Sequence, residues 1–552
     1  MKDLNMMKLS SSLATLVIMV ILNSCISKEK ADLILFNGKI YTTDSAFSIK
    51  EALAVSNGNF IATGTNEEIL SAYSSEIIVD AGGKVILPGL IDGHCHFFGY
   101  AQNRYQGVNL RGTSSFEEIV DKLKDFHSLY PEKWITGTGW DQNDWNDKAF
   151  PDNLILNTLF PDIPVILTRI DGHAVLANAC ALHLARIDSK TVIPGGKVLL
   201  KDGKPTGMLL DNAADSMKKL IPAPDQQSRA LALQSAQEDC FRYGLTSVVD
   251  AGLDYNEIKL IDSLQNSGHL KIRINAMLSP TDKNIREFLG KGSFRKERLT
   301  VNSLKLYADG ALGSRGALLL EPYADDPGNY GVMVADESYY RELLSMAYNS
   351  GFQVNTHCIG DSANRMILNL YREVLNGPND RRWRIEHAQV VNPGDFRLFG
   401  DYRIIPSVQA THCTSDMYWA GERLGPDRIK YAYAYKKLLD ENGWIINGTD
   451  FPIEEVNPML TFFASTGRMD KSGYPENGFQ TENALSREET LRSMTIWAAK
   501  GSFEDDIKGS IKPGKVADFV ILDRDIMEVP FPEIPKTVVL KTYLNGELVF
   551  EN

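Results

Sequence analysis

His94 and His96 close an apolar run, Val85-Ile-Leu-Pro-Gly-Leu-Ile-Asp-Gly-His-Cys-His96. Spaced i, i+2 at a strand end, their imidazoles share one face and Cys95 takes the other. Two neutral imidazoles on one side of a rigid strand end can share a divalent cation. Two unrelated polar residues at a strand end would be spelled the same way, so further donors must decide. His357 ends Val-Asn-Thr-His, His387 ends Arg-Ile-Glu-His, and Asp450 ends Asn-Gly-Thr-Asp, each after a short apolar run. Lys305 lies between Leu304 and Leu306, which point to the opposite face. Taken singly, each His also reads as a hydrogen-bonded core residue. Asp450 reads as a turn residue before Phe-Pro, and Lys305 as a side chain that snorkels to the surface. Four His and one Asp at strand ends are hard to assemble by chance.

The elements that must carry these residues alternate. Short apolar strands are expected at 244–250, 271–278, 303–309, 352–357, 383–388, 403–409 and 444–450, with amphipathic helices between them. The His94 strand makes eight. Eight βα units closing on themselves give an α/β fold, a (β/α)8 TIM barrel with its chemistry at the carboxyl ends of the strands. Both ends of the chain are instead β-rich, with hairpin turns at Asn37-Gly38, Asn57-Gly58 and Asn545-Gly546. They suggest one discontinuous β-sandwich domain formed by both termini, from 32–84 and 506–552, around a barrel at 85–505. Residues about 100–230 break the alternation. They read as an insertion after the first barrel strand that roofs the catalytic face.

The net charge of −13, without any basic block, argues against nucleic acid as a partner. At the N-terminus, Lys2 and Lys8 precede the apolar run Leu13–Leu22, too short to span a bilayer. Leu22-Asn-Ser-Cys25 resembles a bacterial lipoprotein cleavage box. It implies a signal peptide at 1–24, lipidation of Cys25, a tether at 25–31, and a place on the extracytoplasmic side of the cell envelope with the membrane as partner through the lipid anchor alone. The remaining Cys lack CxxC spacing and read as buried thiols rather than a disulfide scaffold.

With these residues in place, the chain resembles the amidohydrolase superfamily, and within it the third amidohydrolase family of N-substituted formamide deformylase-like metal-dependent hydrolases. The carriers are Pro88-Gly-Leu-Ile-Asp-Gly-His-Cys-His96, Lys305-Leu-Tyr-Ala-Asp-Gly-Ala-Leu-Gly-Ser-Arg-Gly316 and His357-Cys-Ile-Gly-Asp361. They continue through Arg384-Ile-Glu-His387, Ser407-Val-Gln-Ala-Thr-His412, Asp450-Phe-Pro452 and Gly509-Ser-Ile-Lys-Pro-Gly-Lys-Val-Ala-Asp518. The resemblance spans nearly the whole chain after the signal peptide. It implies the barrel, the two-ended β-sandwich and one or two divalent metals, usually zinc.

A buried lysine can be neutral, and a neutral amine can take up CO2 as a carbamate. The resemblance implies this carbamate for Lys305. One metal is then expected on His94, His96 and Asp450, and a second on His357 and His387, with the carbamate of Lys305 between them. Asp450 is expected to accept the proton of the attacking water and pass it to the leaving nitrogen of a small-molecule amide. Trp140, Asp141, His173, Tyr307, Asp309, Arg315, Gln409 and His412 are the candidates for substrate contact. For each, a structural hydrogen bond competes with that reading. Glu386 is expected to face away behind the barrel, paired with a basic group. His127, His183 and His269 are not expected to be ligands. A one-metal deaminase is the rival within the superfamily. It calls for a Glu shortly after the His of the fifth strand, where Cys358-Ile-Gly-Asp361 stands instead. A non-catalytic ligand-binding lipoprotein would need none of the ligands. The oligomeric state, a homodimer included, is left open.

Overall fold

The computed structural model describes residues 28–552 apart from 130, 132–133 and 223–224. The expected signal peptide, Cys25 and the start of the expected tether lie outside the described residues. No helix among the described residues is long and apolar enough to cross a membrane.

Eight parallel strands form one sheet in chain order: β1 Leu90–Cys95, β2 Leu245–Leu253, β3 Arg273–Leu278, β4 Leu299–Tyr307, β5 Gln353–Cys358, β6 Arg384–His387, β7 Ile405–Val408 and β8 Ile446–Asn447. The last strand meets the first. Asp450 N donates to His94 O at 2.8 Å, and His96 N donates to Phe451 O at 2.8 Å. Beneath them the buried Asp92 accepts from Thr449 N at 3.0 Å and from Thr449 Oγ1 at 2.6 Å. Helices cover the outside, which is why the strands read as near-continuous apolar runs. The helix Asp361–Leu375 buries Ile367, Leu368 and Tyr371. Its Tyr371 hydroxyl lies 2.7 Å from Thr356 Oγ1, bracing β5 beside His357.

The run 85–96 is not one strand. Val85–Pro88 pairs antiparallel with Phe519–Leu522 and parallel with Lys39–Tyr41, whereas Leu90–Cys95 pairs with β2. The boundary between β-sandwich and barrel therefore falls at Gly89 rather than before Val85. The reason is steric. A Cβ at Gly89 would lie 2.3 Å from Thr246 Oγ1, so only glycine lets the chain pass this closely from one sheet to the next.

A six-stranded sheet interleaves both ends of the chain, with Val85–Pro88 between Phe519–Leu522 and Lys39–Tyr41. It packs against a four-stranded sheet that contains Leu33–Phe36 and Ala52–Ser56. Leu35, Leu53, Ile86, Phe519 and Tyr543 share the resulting core. Residues 108–211 carry a separate six-stranded sheet with its own apolar core around Leu110, Ile119, Leu123, Trp140, Trp145 and Leu167. This unit stands over the carboxyl ends of the barrel strands, where its Asn109, Arg111, Asp141, Arg169 and His173 reach the wall of the central cavity.

Candidate metal centre

Five of the nine histidines line one cavity of about 650 Å³ at the carboxyl ends of the barrel strands, and the fully buried His94 packs against two of them. His94, His357 and His387 come from β1, β5 and β6, and His96 from the residue after β1. Their rings form a chain: His96–His94 at 5.7 Å between centroids, His94–His387 at 5.0 Å and His387–His357 at 4.6 Å. His173 extends it at 5.1 Å from His357, and His412 at 5.9 Å from His387. His127, His183 and His269 stay outside the cavity wall.

Asp450 is the hub. Its Oδ1 lies 3.5 Å from His94 Nε2 and 3.3 Å from His96 Nε2, and its Oδ2 lies 3.1 Å from His412 Nε2. His94, His96 and Asp450 bring their ligand atoms within 4.8 Å of one another, and so do His387, His412 and Asp450. The second grouping differs from the expected pairing of His357 with His387. His357 Nε2 instead lies 3.4 Å from Gly310 O and 3.6 Å from Asp309 Oδ1. Lys305 Nζ is 3.2 Å from His94 Nε2.

Electrostatics keep these donors ready for a cation. Burial, with help from neighbouring cations, holds the His357 and His387 imidazoles well below their ordinary pKa, so both are neutral. Burial and the nearby Lys305 bring His94 down to about 4. Burial would raise the carboxyl of Asp450, but hydrogen bonds from His412 and His96 outweigh it and keep the group ionised. His387 Nδ1 is buried without a hydrogen-bond partner among the described residues, and Asp450 Oδ1 faces His96 Nε2 at 3.3 Å and His94 Nε2 at 3.5 Å. Orphaned acceptors cost free energy unless something fills the gap. An anionic oxygen beside neutral imidazoles fits a divalent cation, and these residues suit zinc by donor type.

Two ligand candidates sit in strained backbone. His387 has φ of 72° and Asp450 φ of 62°, left-handed values that L-residues seldom adopt. This corrects the expectation for Glu386. On a regular strand, His387 inside would place Glu386 outside. The turn at His387 lets both point inward. Glu386 Oε2 lies 2.5 Å from His94 Nδ1, and Glu386 Oε1 lies 2.6 Å from Arg384 Nε. Arg384 Nη2 in turn donates to Gly93 O at 2.6 Å and Ser407 Oγ at 2.8 Å. Burial opposes charge on Glu386, but Arg384 and His94 bring its pKa down to about 2. A carboxylate on Nδ1 fixes the tautomer that presents Nε2 to the site. Glu386→Gln is expected to weaken metal binding about 10–100-fold. Because the change leaves Arg384 buried without its anion, it should also cost on the order of 3–5 kcal/mol of stability. Metal titration and thermal unfolding read the two effects separately. Unchanged metal affinity would show that Glu386 does not orient His94.

The expected substrate-contact residues divide. Asp141, His173, Tyr307 and His412 line the cavity, and the other four do not. Trp140 is 1% exposed and its Nε1 donates to Leu167 O, so it belongs to the core of the 108–211 unit. Arg315 turns away to pair with Asp325 at 2.8 Å. Gln409 is buried with Nε2 on Ser407 O at 3.3 Å. Asp309 accepts the backbone N–H groups of Leu318, Ile359 and Gly360 at 2.8–3.0 Å, which pins the loop after β4 to the end of β5. Sequence reasoning missed Arg169, which is buried between Asp141 and Asp171 at the cavity wall. It also missed Glu454, whose Oε1 lies 3.2 Å from His412 Nδ1.

Comparison with known proteins follows the same outline. A family model described as the amidohydrolase family matches residues 78–550. The Arabidopsis thaliana protein LONG AFTER FAR-RED 3 is 32% identical over 539 residues, covering 94% of this chain and 92% of the relative. An N-substituted formamide deformylase from Arthrobacter pascens is 24% identical, covering 95% of this chain and 99% of the relative. Among solved structures, an uncharacterized metal-dependent hydrolase from Pyrococcus horikoshii superimposes with a TM-score of 0.73 at 29% identity. That match covers 90% of this chain and 99% of the other.

Proposed function

Because the chain belongs to the amidohydrolase family, we propose that it is a metal-dependent hydrolase of carbon–nitrogen bonds that acts on N-substituted amides. The observation that carries this reading is the convergence of His96, His357, His387, Asp450 and a desolvated Lys305 on one cavity, with His94 buried against His96 and His387. The printed name of the Arthrobacter pascens relative, a deformylase of N-substituted formamides, supports an amide as substrate.

His94, His96 and Asp450 would hold the cation, with Lys305, His357 and His387 completing the ligand set as its carbamate and two imidazoles. A divalent cation held there lowers the pKa of water toward neutrality and polarises a carbonyl. The protein's own residues do the rest. Asp450 accepts a proton from the attacking water and delivers it to the amide nitrogen as the C–N bond breaks. An amide nitrogen is a poor leaving group until it is protonated, so this transfer is the step that the base must serve. His412, backed by Glu454, holds Asp450 Oδ2 and leaves Oδ1 directed at the reacting centre. Tyr307 and His173 flank His357 and bound the space for the substrate's carbonyl.

The test is activity profiling across amides, cyclic imides and esters with protein reconstituted in zinc, manganese or iron. Amide turnover that chelation abolishes and a divalent metal restores is expected. Turnover confined to esters would overturn the reading.

We also propose that Cys25 is the mature N-terminus and carries lipid, anchoring the enzyme at the extracytoplasmic face of a bacterial membrane. The support is the short apolar run ending in Leu22-Asn-Ser-Cys25. Cys25→Ala is expected to block processing or to release the protein from the membrane fraction. A variant still found with membranes at its mature mass would refute the anchor.

A further inference from the structure

The candidate metal centre opens on the main cavity and touches a second one through His96. The second cavity, of about 700 Å³ among the described residues, lies on the other side of His96, His173 and Tyr307, which line both. It is at least as large as the main one, and both fall in the size range of sites that enclose a whole small ligand. A formyl group, a single carbon, would leave such a room without an occupant.

The two rooms differ in charge. The main cavity is rimmed by Asp144, Glu454, Glu455 and Asp470, against Arg111 and Lys471. The second sets Lys218, Lys219 and Arg229 against Asp171, Asp211, Asp215 and Glu257, so its excess of acids is smaller than that of the main cavity. Asp211 Oδ1 lies 3.0 Å from His173 Nδ1 while its Oδ2 is buried without a hydrogen-bond partner among the described residues, Asp215 pairs with Lys218 at 2.6 Å, and Glu257 Oε2 accepts Asp254 N at 2.8 Å. Arg229 Nε is buried with no hydrogen-bond partner among the described residues. Thr138 and Thr168 sit side by side on adjacent strands and line the second cavity, as does Ile166.

Hydrolysis of an amide at neutral pH makes two oppositely charged products. Water adds oxygen to the carbonyl carbon and the C–N bond breaks. RCONHR′ and H2O become RCO2− and R′NH3+, the second proton passing from the new acid to the amine. A carboxylate is favoured toward Lys219 and Arg229, and an ammonium toward the acid-rimmed room.

We propose that the second cavity is an acyl chamber, so that the enzyme takes N-acyl amines whose acyl arm is several carbons long. The acyl arm and carboxylate product occupy the second cavity, and the amine arm and ammonium product occupy the main one. This inference rests on the amide-hydrolase reading above.

The experiment uses two substrate series on metal-loaded protein. One keeps the amine and lengthens the acyl arm from formyl to hexanoyl; the other keeps the acyl arm and lengthens the amine. In the first series kcat/KM is expected to rise roughly fourfold per buried methylene. Thr168→Trp, which fills the acyl chamber, should lower kcat/KM for the hexanoyl amide about tenfold more than for the formyl amide. Arg229→Gln is the milder variant, and should weaken competitive inhibition by hexanoate but not by hexylammonium. Formyl amides as the best substrates, with kcat/KM falling as the acyl arm grows, would overturn the acyl chamber and leave the amide-hydrolase reading intact. So would hexanoate inhibition indifferent to both substitutions. No turnover of any amide in either series would overturn both.

Discussion

Asp450→Asn is expected to lower kcat toward an amide by about 10²–10⁴-fold, the usual worth of a positioned general base. Asn has nearly the same shape, so the closure of β8 against β1 through Asp450 N and His94 O should survive. What disappears is the anion. Asp450 is buried and still ionised, because His412 and His96 outweigh the burial that would protonate it. The amide of Asn can neither accept the proton of water nor balance a dication. It would also turn an N–H group toward an imidazole. The loss should fall on kcat rather than on KM, since proton transfer belongs to the transition state. Metal content measured on the same sample separates a lost base from a lost ligand. A variant that keeps kcat within tenfold of wild type would remove Asp450 from the mechanism.

Lys305→Ala is expected to abolish nearly all turnover and to release one or both metals. Lys305 is 1% exposed, 3.2 Å from His94 Nε2, with its Nζ 4.9 Å from the Tyr307 ring centroid. Burial brings its pKa down to about 8, against Glu386 and Asp450, which favour the charged form. The sign matters for the chemistry. An ordinary lysine is neutral in about one molecule in a thousand near pH 7.5, whereas a pKa near 8 leaves about a quarter neutral. Only the neutral amine takes up CO2. Metal uptake by stripped protein should therefore need CO2 and, at constant dissolved CO2, become faster as pH rises and flatten above about 8. Lys305→Arg should fare no better than Ala, because a guanidinium stays protonated and forms no carbamate. Propionate is expected to restore part of the activity of Lys305→Ala by supplying two carboxylate oxygens. One tightly held metal, with activity indifferent to CO2 removal during reconstitution, would leave the bridging carbamate without support.

Much of the barrel was legible because its signal is local. The strands are short, largely apolar runs, and those runs place the last seven to within four residues at either end. The hinge at Gly89 was hidden inside one of those runs. Val85–Pro88 and Leu90–Cys95 are equally apolar, and nothing in their composition says that a different sheet buries each. Four of the eight substrate-contact candidates lie off the cavity wall for a related reason. Trp140, Asp309, Arg315 and Gln409 are the right types near the right motifs. Their side chains are claimed by Leu167 O, by three backbone N–H groups, by Asp325 and by Ser407 O, all partners that only the packed chain brings within reach.

By itself the sequence determined the donor set: neutral imidazoles, a carboxylate and an isolated lysine, each on a strand end whose alternation decides its face. Tertiary structure alone decided how that set is aimed. The left-handed backbone at His387 and Asp450 breaks the alternation, turning Glu386 inward onto His94 and drawing His412 up to Asp450. Such a conformation costs free energy locally and persists only where the surrounding fold holds it. No reading of neighbouring residue types could supply it, because the groups that hold it lie far apart in the chain, 292 residues between His94 and Glu386 and 357 between Asp92 and Thr449.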